Sequence, residues 1–531
     1  ESDDLKHPLD PQIIYADSGG NPLFALEAAR AVTQTNNTLA DLIGDRLQRL
    51  DATARDLLPW AAALGRRFDP TTLALAAGYA PLQFLIAIEQ LEAQQIVCPA
   101  PLSDDEGQSH YDFVHDLVRQ VAYKQLSEPR RRLVHGQLAK TLNRQTVDAD
   151  LASQVAYHAA RAGDHTLAAR AYAAAADRSL RLFAYQDVMQ LVGQGLHHSE
   201  YLPSRDRLGQ AAHLLRTRVL AGVATTEVAG VESQLQQLAA DLEGLSIPEA
   251  EITVQEALNI LNYAQGKLTA VHQQTLKALD ALPPSPQLQA QSLAANGCCL
   301  AEIERDIDRA EAVLLEAQTL ADRLELSLLD VATGLGCVER YRGHYDQART
   351  YLEQAHRLAQ NQQSFVFQGH ALSHLAMTSW DGHHPEVADA QALWVLSAQL
   401  PEGSEGAFAQ ALIALSAYAN NPEATETLAQ SLHQLQQLDA QRKRVFVASH
   451  ASEIALVHNH RDAAQHYAAI AHQAAQVVGH PNDLAIAAAL QVLSATTEDD
   501  QAAYRQRLQT LLMDDLRLSA RAQSLCDQAQ R

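Results

Sequence analysis

Apolar residues recur three and four positions apart through almost the whole chain, the spacing that places them on one face of an α-helix. Residues 39 to 50 alternate apolar and charged positions in this way, and Asp51 then reads as the N-cap of a helix over 52–64. Two more helices follow at 71–77 and 82–94. The period changes only twice, at Ile96-Val97-Cys98 and around Tyr111-Asp112-Phe113-Val114, where short apolar runs flank a polar loop and predict a two-stranded hairpin. Helices followed by such a hairpin make a winged helix. Helical spacing resumes over 116–125 and 132–142. Before this block, Gly19-Gly20-Asn21-Pro22 predicts a turn that opens a helix at Leu23.

Beyond residue 150 the pattern repeats at about 34 residues per helical hairpin, the tetratricopeptide period. Two helices that cross closely need small residues at the crossing and a Gly or polar residue at the turn. The stretch 152–175 supplies Val155-Ala156, the turn Gly163-Asp164, then Ala168, Tyr172 and Ala175 in order. A second set is Leu335-Gly336, the turn Gly343, then Ala348, Leu352 and Ala355. Weaker sets follow Asp306 (Ala310, Leu314, Ala317) and include Ala451, Ala463 and Tyr467. The expected architecture is therefore all-α: residues 39–145 a winged-helix domain with one small β-hairpin, and 150–531 a tetratricopeptide-like α-solenoid superhelix with an extended concave surface.

Composition narrows the partners. Lys and Arg number 40 against 63 Asp and Glu, a formal charge of −23, which argues against a phosphate backbone as the main ligand. The third helix of the winged-helix block, 82–94, carries Glu89 and Glu92 and no Lys or Arg, so DNA reading is not expected of it. Glycine and proline number 24 and 18, below the usual combined share of about 12%, as short turns between long helices require. No apolar run reaches the roughly 18 residues of a membrane span. Five cysteines with no CxxC pair fit a reducing cytoplasm.

Two strings carry a family likeness. Gly19-Gly20-Asn21-Pro22-Leu23-Phe24-Ala25-Leu26-Glu27 and Phe113-Val114-His115-Asp116-Leu117-Val118-Arg119 resemble the Gly-Leu-Pro-Leu and Met-His-Asp-Leu motifs of the STAND class of signalling ATPases, with Asn21 in place of Leu and Val114 in place of Met. The resemblance implies that residues 1–38 are a remnant of the ATPase lid. It further implies that Pro22 packs on the adenine of a bound nucleotide, and that His115 reaches the β-phosphate of ADP and holds a resting state closed. It implies ADP or ATP as the cofactor of a full-length bacterial parent, an ATPase core in cis, and oligomerisation on activation. The chain itself has no phosphate loop, since the lone Gly266-Lys267 is followed by Leu and lacks the preceding glycine. It is thus expected to be no enzyme and to begin inside a larger switch.

The remaining chemistry-bearing residues have plain readings. Arg66-Arg67, Arg130-Arg131-Arg132 and Arg442-Lys443-Arg444 read as solvated helix ends. The histidines at 197/198, 383/384 and 458/460 read as coil-exposed, with no carboxylate or Cys at i+4 to complete a ligand set, so no metal is expected. Cys298-Cys299 read as small residues at a helix crossing, and Trp380, Trp394 and Phe446 as scattered aromatics. The expected function is a sensor and regulatory arm that receives a protein partner or peptide in its repeats. The alternatives are a stand-alone scaffold and an inducer-binding module for a small molecule. Neither nucleic acid nor membrane is expected as a partner.

Overall fold

The computed structural model describes residues 43–531 apart from 45–46, 101–109, 146–150, 183, 224–226, 266, 281, 363, 386, 398–403 and 514–516. The chain forms two compact units, one comprising the residues up to Ala175 with Gly193–Leu202, the other Ala176–Val192 with Pro203–Arg531. The division falls inside two helices of the first repeats.

The first unit opens with α1 (Ala52–Leu64), whose Asp51 cap accepts a hydrogen bond from Ala54 N at 2.7 Å. Strand β1 (Arg67–Phe68) follows, then α2 (Pro70–Ala77), α3 (Pro81–Ala93), β2 (Val97–Pro99) and β3 (Tyr111–Phe113). Asp69 caps α2 through Thr71 N and Thr72 N, while Pro70 occupies a first-turn position that needs no N–H. The sequence reading expected two strands. The structure has three, in the order β1-β3-β2, because Arg67 and Phe68 pair antiparallel with Asp112 and Tyr111 on the free edge of the hairpin. A two-residue strand leaves no periodic signature, which is why β1 was invisible in sequence. Helix–strand–helix–helix–strand–strand is the element order of a winged helix. Its core is Leu57, Leu73, Leu91, Ile96, Phe68 and Phe113.

Helices α4 (Asp116–Lys124), α5 (Glu128–Gln145) and α6 (Ala152–Ala162) complete this unit, with α7 (His165–Arg181) and α8 (Tyr185–Ser199) crossing the division. Gly163 ends α6 at φ +79°, a left-handed position that a glycine occupies without strain. His135 on α5 and His158 on α6 face each other Nδ1 to Nδ1 at 2.7 Å, and Tyr123 Oη lies 2.7 Å from His135 Nε2.

The second unit continues as α9 (Ser204–Leu220), α10 (Val228–Leu242), α11 (Pro248–Ala264), α12 (Leu268–Asp280), α13 (Pro286–Glu302), α14 (Ile307–Arg323), α15 (Leu329–Arg342) and α16 (Tyr345–Asn361). It then runs through α17 (Phe365–Asp381), α18 (Val387–Ser397), α19 (Ser404–Asn420), α20 (Thr425–Gln437), α21 (Gln441–Val457), α22 (Arg461–Val478), α23 (Pro481–Ser494), α24 (Glu498–Leu512) and α25 (Ala520–Gln530). Consecutive helices pack as hairpins, and α13, α15, α17, α19, α21 and α23 each also touch the next but one. The two sets read differently. On α16 the buried residues Ala348, Leu352, Ala355 and Ala359 form one stripe. On α15 and α17 burial runs almost all the way round, because these inner helices pack on both sides.

The inner set also meets its own later members. His480 Nε2–H donates to Ile303 O at 2.9 Å, Arg442 Nη1 to Glu302 O at 2.9 Å, and Tyr341 Oη to Arg517 O at 2.7 Å. The helices near residue 300 and those near 440–520 thus meet, and the unit itself packs this part of its inner face.

Candidate functional site in the interior of the second unit

The closure brings together side chains that lie far apart in sequence. Glu304 follows α13 at φ +53°, an uncommon left-handed position for a non-glycine residue, which turns its carboxylate inward. That carboxylate accepts from Arg442 Nη2 at 3.1 Å, Arg340 Nη2 at 3.5 Å and Asn482 Nδ2 at 2.5 Å. Arg442 Nε also lies 3.5 Å from Asp483. Burial pushes the Glu304 carboxyl up, but Arg442, His480, Arg340 and Asn482 together outweigh it and hold the group below its ordinary value.

A second knot sits at the C-terminal end of α17. Asp381 accepts from His450 Nε2 at 3.2 Å and lies 3.6 Å from Arg340 Nε and 3.7 Å from Arg521 Nε. Arg521 on α25 donates to Ser449 Oγ at 2.9 Å, pairs with Glu453, and lies over the Phe446 ring. Burial raises the Asp381 carboxyl, and the hydrogen bond from His450 with the charges of Arg521 and Arg340 brings it below the ordinary value. Burial first, then the charge of Arg521, holds the His450 imidazole below its ordinary value. Trp380 and Phe446 flank its ring at 5.6 and 4.5 Å, so two of the three aromatics read as scattered serve one site, whereas Trp394 is partly exposed.

The third group is Glu302 with His370 and His374. The imidazoles stand four residues apart on α17, and their Nε2 atoms lie 3.4 and 3.9 Å from Glu302 Oε1. Cys298 Sγ is 3.4 Å from the same oxygen, and Cys337 Sγ and Arg340 Nη1 lie 3.5 and 3.4 Å from His374 Nδ1. Burial lowers the His374 imidazole well below its ordinary value and pushes the Cys337 thiol up to about 12. Asp330 is raised to about 6, first by burial and then by Glu256 and Glu302. Across these groups four carboxylates (Glu304, Asp381, Glu453, Asp483) face three guanidiniums (Arg340, Arg442, Arg521). Glu304, Asp381 and Glu453 are thereby held below their ordinary values, whereas Glu302 faces imidazoles instead of a guanidinium.

The residues picked from sequence fall as follows. Pro22 and its motif lie outside the described residues. His115 is half-buried, extended at φ −137° and ψ 132°, and sits between β3 and α4 as the residue before the helix. Its neighbour Asp116 accepts from Arg119 Nε at 2.6 Å and Gln120 Nε2 at 2.7 Å, and these bonds hold its carboxyl below the ordinary value. Two expectations are corrected. Arg442-Lys443-Arg444 is not a solvated helix end, since Arg442 and Lys443 are half-buried and ion-paired and Arg444 is buried. His198 is not in exposed coil but buried on α8, 2.9 Å from His165, whereas His383, His384, His458 and His460 are exposed. Sequence reasoning missed Glu302, His370 and His374. The His370-x3-His374 spacing was legible, but the carboxylate that completes it comes from a helix some seventy residues earlier.

No protein-family model matches the chain, and no curated protein matches it. Among solved structures it is similar to a signal transduction ATPase with numerous domains that carries a tetratricopeptide repeat sensor, from Pyrococcus horikoshii. The identity is 12%, the coverage 83% of this chain and 72% of that one, and the TM-score 0.37.

Proposed function

We propose that the chain is the sensor and regulatory arm of a STAND-type signalling ATPase. In this reading the helical repeats receive a partner protein or ligand, and the small helix-and-hairpin domain couples that event to the nucleotide state of an ATPase core in cis. The observation that carries it is the place of His115: it ends the hairpin of a domain with winged-helix element order, directly ahead of a helix, with repeat hairpins following. An imidazole there is half-buried between a strand and the first turn of a helix, a position from which it could donate to a phosphate oxygen. Support for a protein partner comes from α2 and α3, where Leu75, Leu82, Leu85 and Ile86 are exposed beside Glu89. An apolar and acidic face suits another protein surface and repels phosphates. Coupling is then a shift between a closed ADP-bound form and an open ATP-bound form that oligomerises.

The test is made in the parent polypeptide. His115→Ala is expected to lose ADP during purification and to raise basal output; unchanged ADP retention together with unchanged output overturns the reading.

A further inference from the structure

We propose that Glu302, His370 and His374 form a binding site for one divalent transition-metal ion of the zinc class inside the second unit. The inference stands independently of the signalling reading. Its first support is geometry. One ligand atom from each residue lies within 4.8 Å of the other two. Ligands at zinc distances in a tetrahedral site stand about 3.3–3.5 Å apart, and the two imidazole–carboxylate separations are 3.4 and 3.9 Å. The three ligand atoms together span up to 4.8 Å, so closing around an ion needs side-chain rotations that move them by about an ångström, rather than a change of fold. His370 and His374 sit one turn apart on a single helix, so their relative placement is fixed by the backbone.

The second support is charge. Three arginines near the site are each shared between carboxylates: Arg340 between Glu304 and Asp381, Arg442 between Glu304 and Asp483, Arg521 between Asp381 and Glu453. Among the described residues the Glu302 side chain has ion-pair contacts with the two imidazoles and with no arginine. A dication there gives Glu302 the cationic partner that none of these arginines supplies.

The third is the ring of groups behind the ligands. Cys298 Sγ–H donates to Glu302 Oε1 and orients the carboxylate. With the ion on His374 Nε2, Nδ1 would carry the proton and donate to Cys337 Sγ, 3.5 Å away, and the 3.4 Å contact of Arg340 Nη1 with Nδ1 would have to be given up, Arg340 keeping Glu304 and Asp381. Such outer partners fix the tautomer and direction of a metal-bound imidazole. The His370 side chain is 36% exposed, so ions have access, and three protein ligands leave a fourth position for water or a ligand group, as in zinc sites that take part in chemistry or sensing.

The experiment uses the untagged 531-residue chain, stripped of metal and held reduced. It is titrated with Zn²⁺ by calorimetry and with Co²⁺ by visible absorption. One saturable Zn²⁺ per chain at micromolar or tighter affinity is expected, together with the intense visible bands of tetrahedral Co²⁺. His370→Ala and Glu302→Gln are each expected to weaken binding about 10-fold or more. A His458→Ala/His460→Ala variant, altered only at exposed histidines, is expected to bind like the wild type. No saturable binding by the wild type, or binding unchanged in both His370→Ala and Glu302→Gln, overturns the proposal. Circular dichroism of each variant in chelator checks that it is folded. His370→Ala, altered at a partly exposed position, is the variant that keeps the helices intact.

Discussion

At Gly334 a Cβ would stand 3.0 Å from the Cα of Cys298 and 2.8 Å from a methyl of Leu314, a side chain with no exposed surface. The position is glycine because three helices, α13, α14 and α15, approach there more closely than any side chain allows. Gly334→Ala is expected to destabilise the chain by about 1–3 kcal/mol, the cost of overpacking a filled core, read as a lower midpoint in urea. Cys298 at this point is the small residue at a helix crossing that the sequence suggested. The facing histidines of the first unit answer to pH instead. His135 is held at about 4 and His158 at about 3, first by burial and then by charge, from Arg161 for His135 and from His135 for His158. Since an unfolded histidine titrates near 6.5, the unfolded chain takes up protons below that pH that the folded pair refuses. The stability this pair supports is therefore complete above about pH 6.5 and drains as pH falls toward 4. Hydrogen exchange is expected to show α5 and α6 opening first across that window. His135→Gln with His158→Gln is expected to flatten the pH dependence there.

Among the elements, α25 shows how a helix can be tied by one residue. Ala522, Leu525, Cys526 and Ala529 bury its apolar stripe, while Arg521 reaches Ser449, Glu453 and Asp381 on two inner helices. Removing one partner of a buried ion network leaves the others uncompensated, at about 3–5 kcal/mol. Arg521→Ala is expected to loosen α25 selectively, seen as early proteolysis near residue 517, while the hairpins of α10 to α12 keep their protection. A uniform loss of protection along the second unit would contradict this. The apolar stripes of α14, α16 and α22 were legible in sequence because each faces one way. Inner helices such as α15, α17 and α21 are buried nearly all round and carry polar residues inside, so periodicity reports neither their orientation nor their polar contacts. That is why Arg442 read as a surface residue.

For the whole molecule, no single helix among the described residues is long and apolar enough to cross a membrane. The succession of a helix-and-hairpin block and a long helical array could be read from period and turn residues alone, as could the turns at Gly163 and Gly343, both left-handed in the structure. The candidate signalling residue His115 was found through a motif, and the fold fixes its place at the end of the hairpin. The interior site was not legible, because its members come from positions 298 to 521 and meet only when the array closes on itself.

By itself, then, the sequence determined local geometry: which stretches are helical, where they turn, and which crossings need small residues. These follow from interactions within three or four residues. Only the tertiary structure decided which faces of the inner helices meet, that an acidic chain gathers carboxylates around Arg340, Arg442 and Arg521, and that two histidines on one helix find a glutamate on another. Those outcomes depend on contacts across a hundred residues or more, whose partners no local pattern specifies.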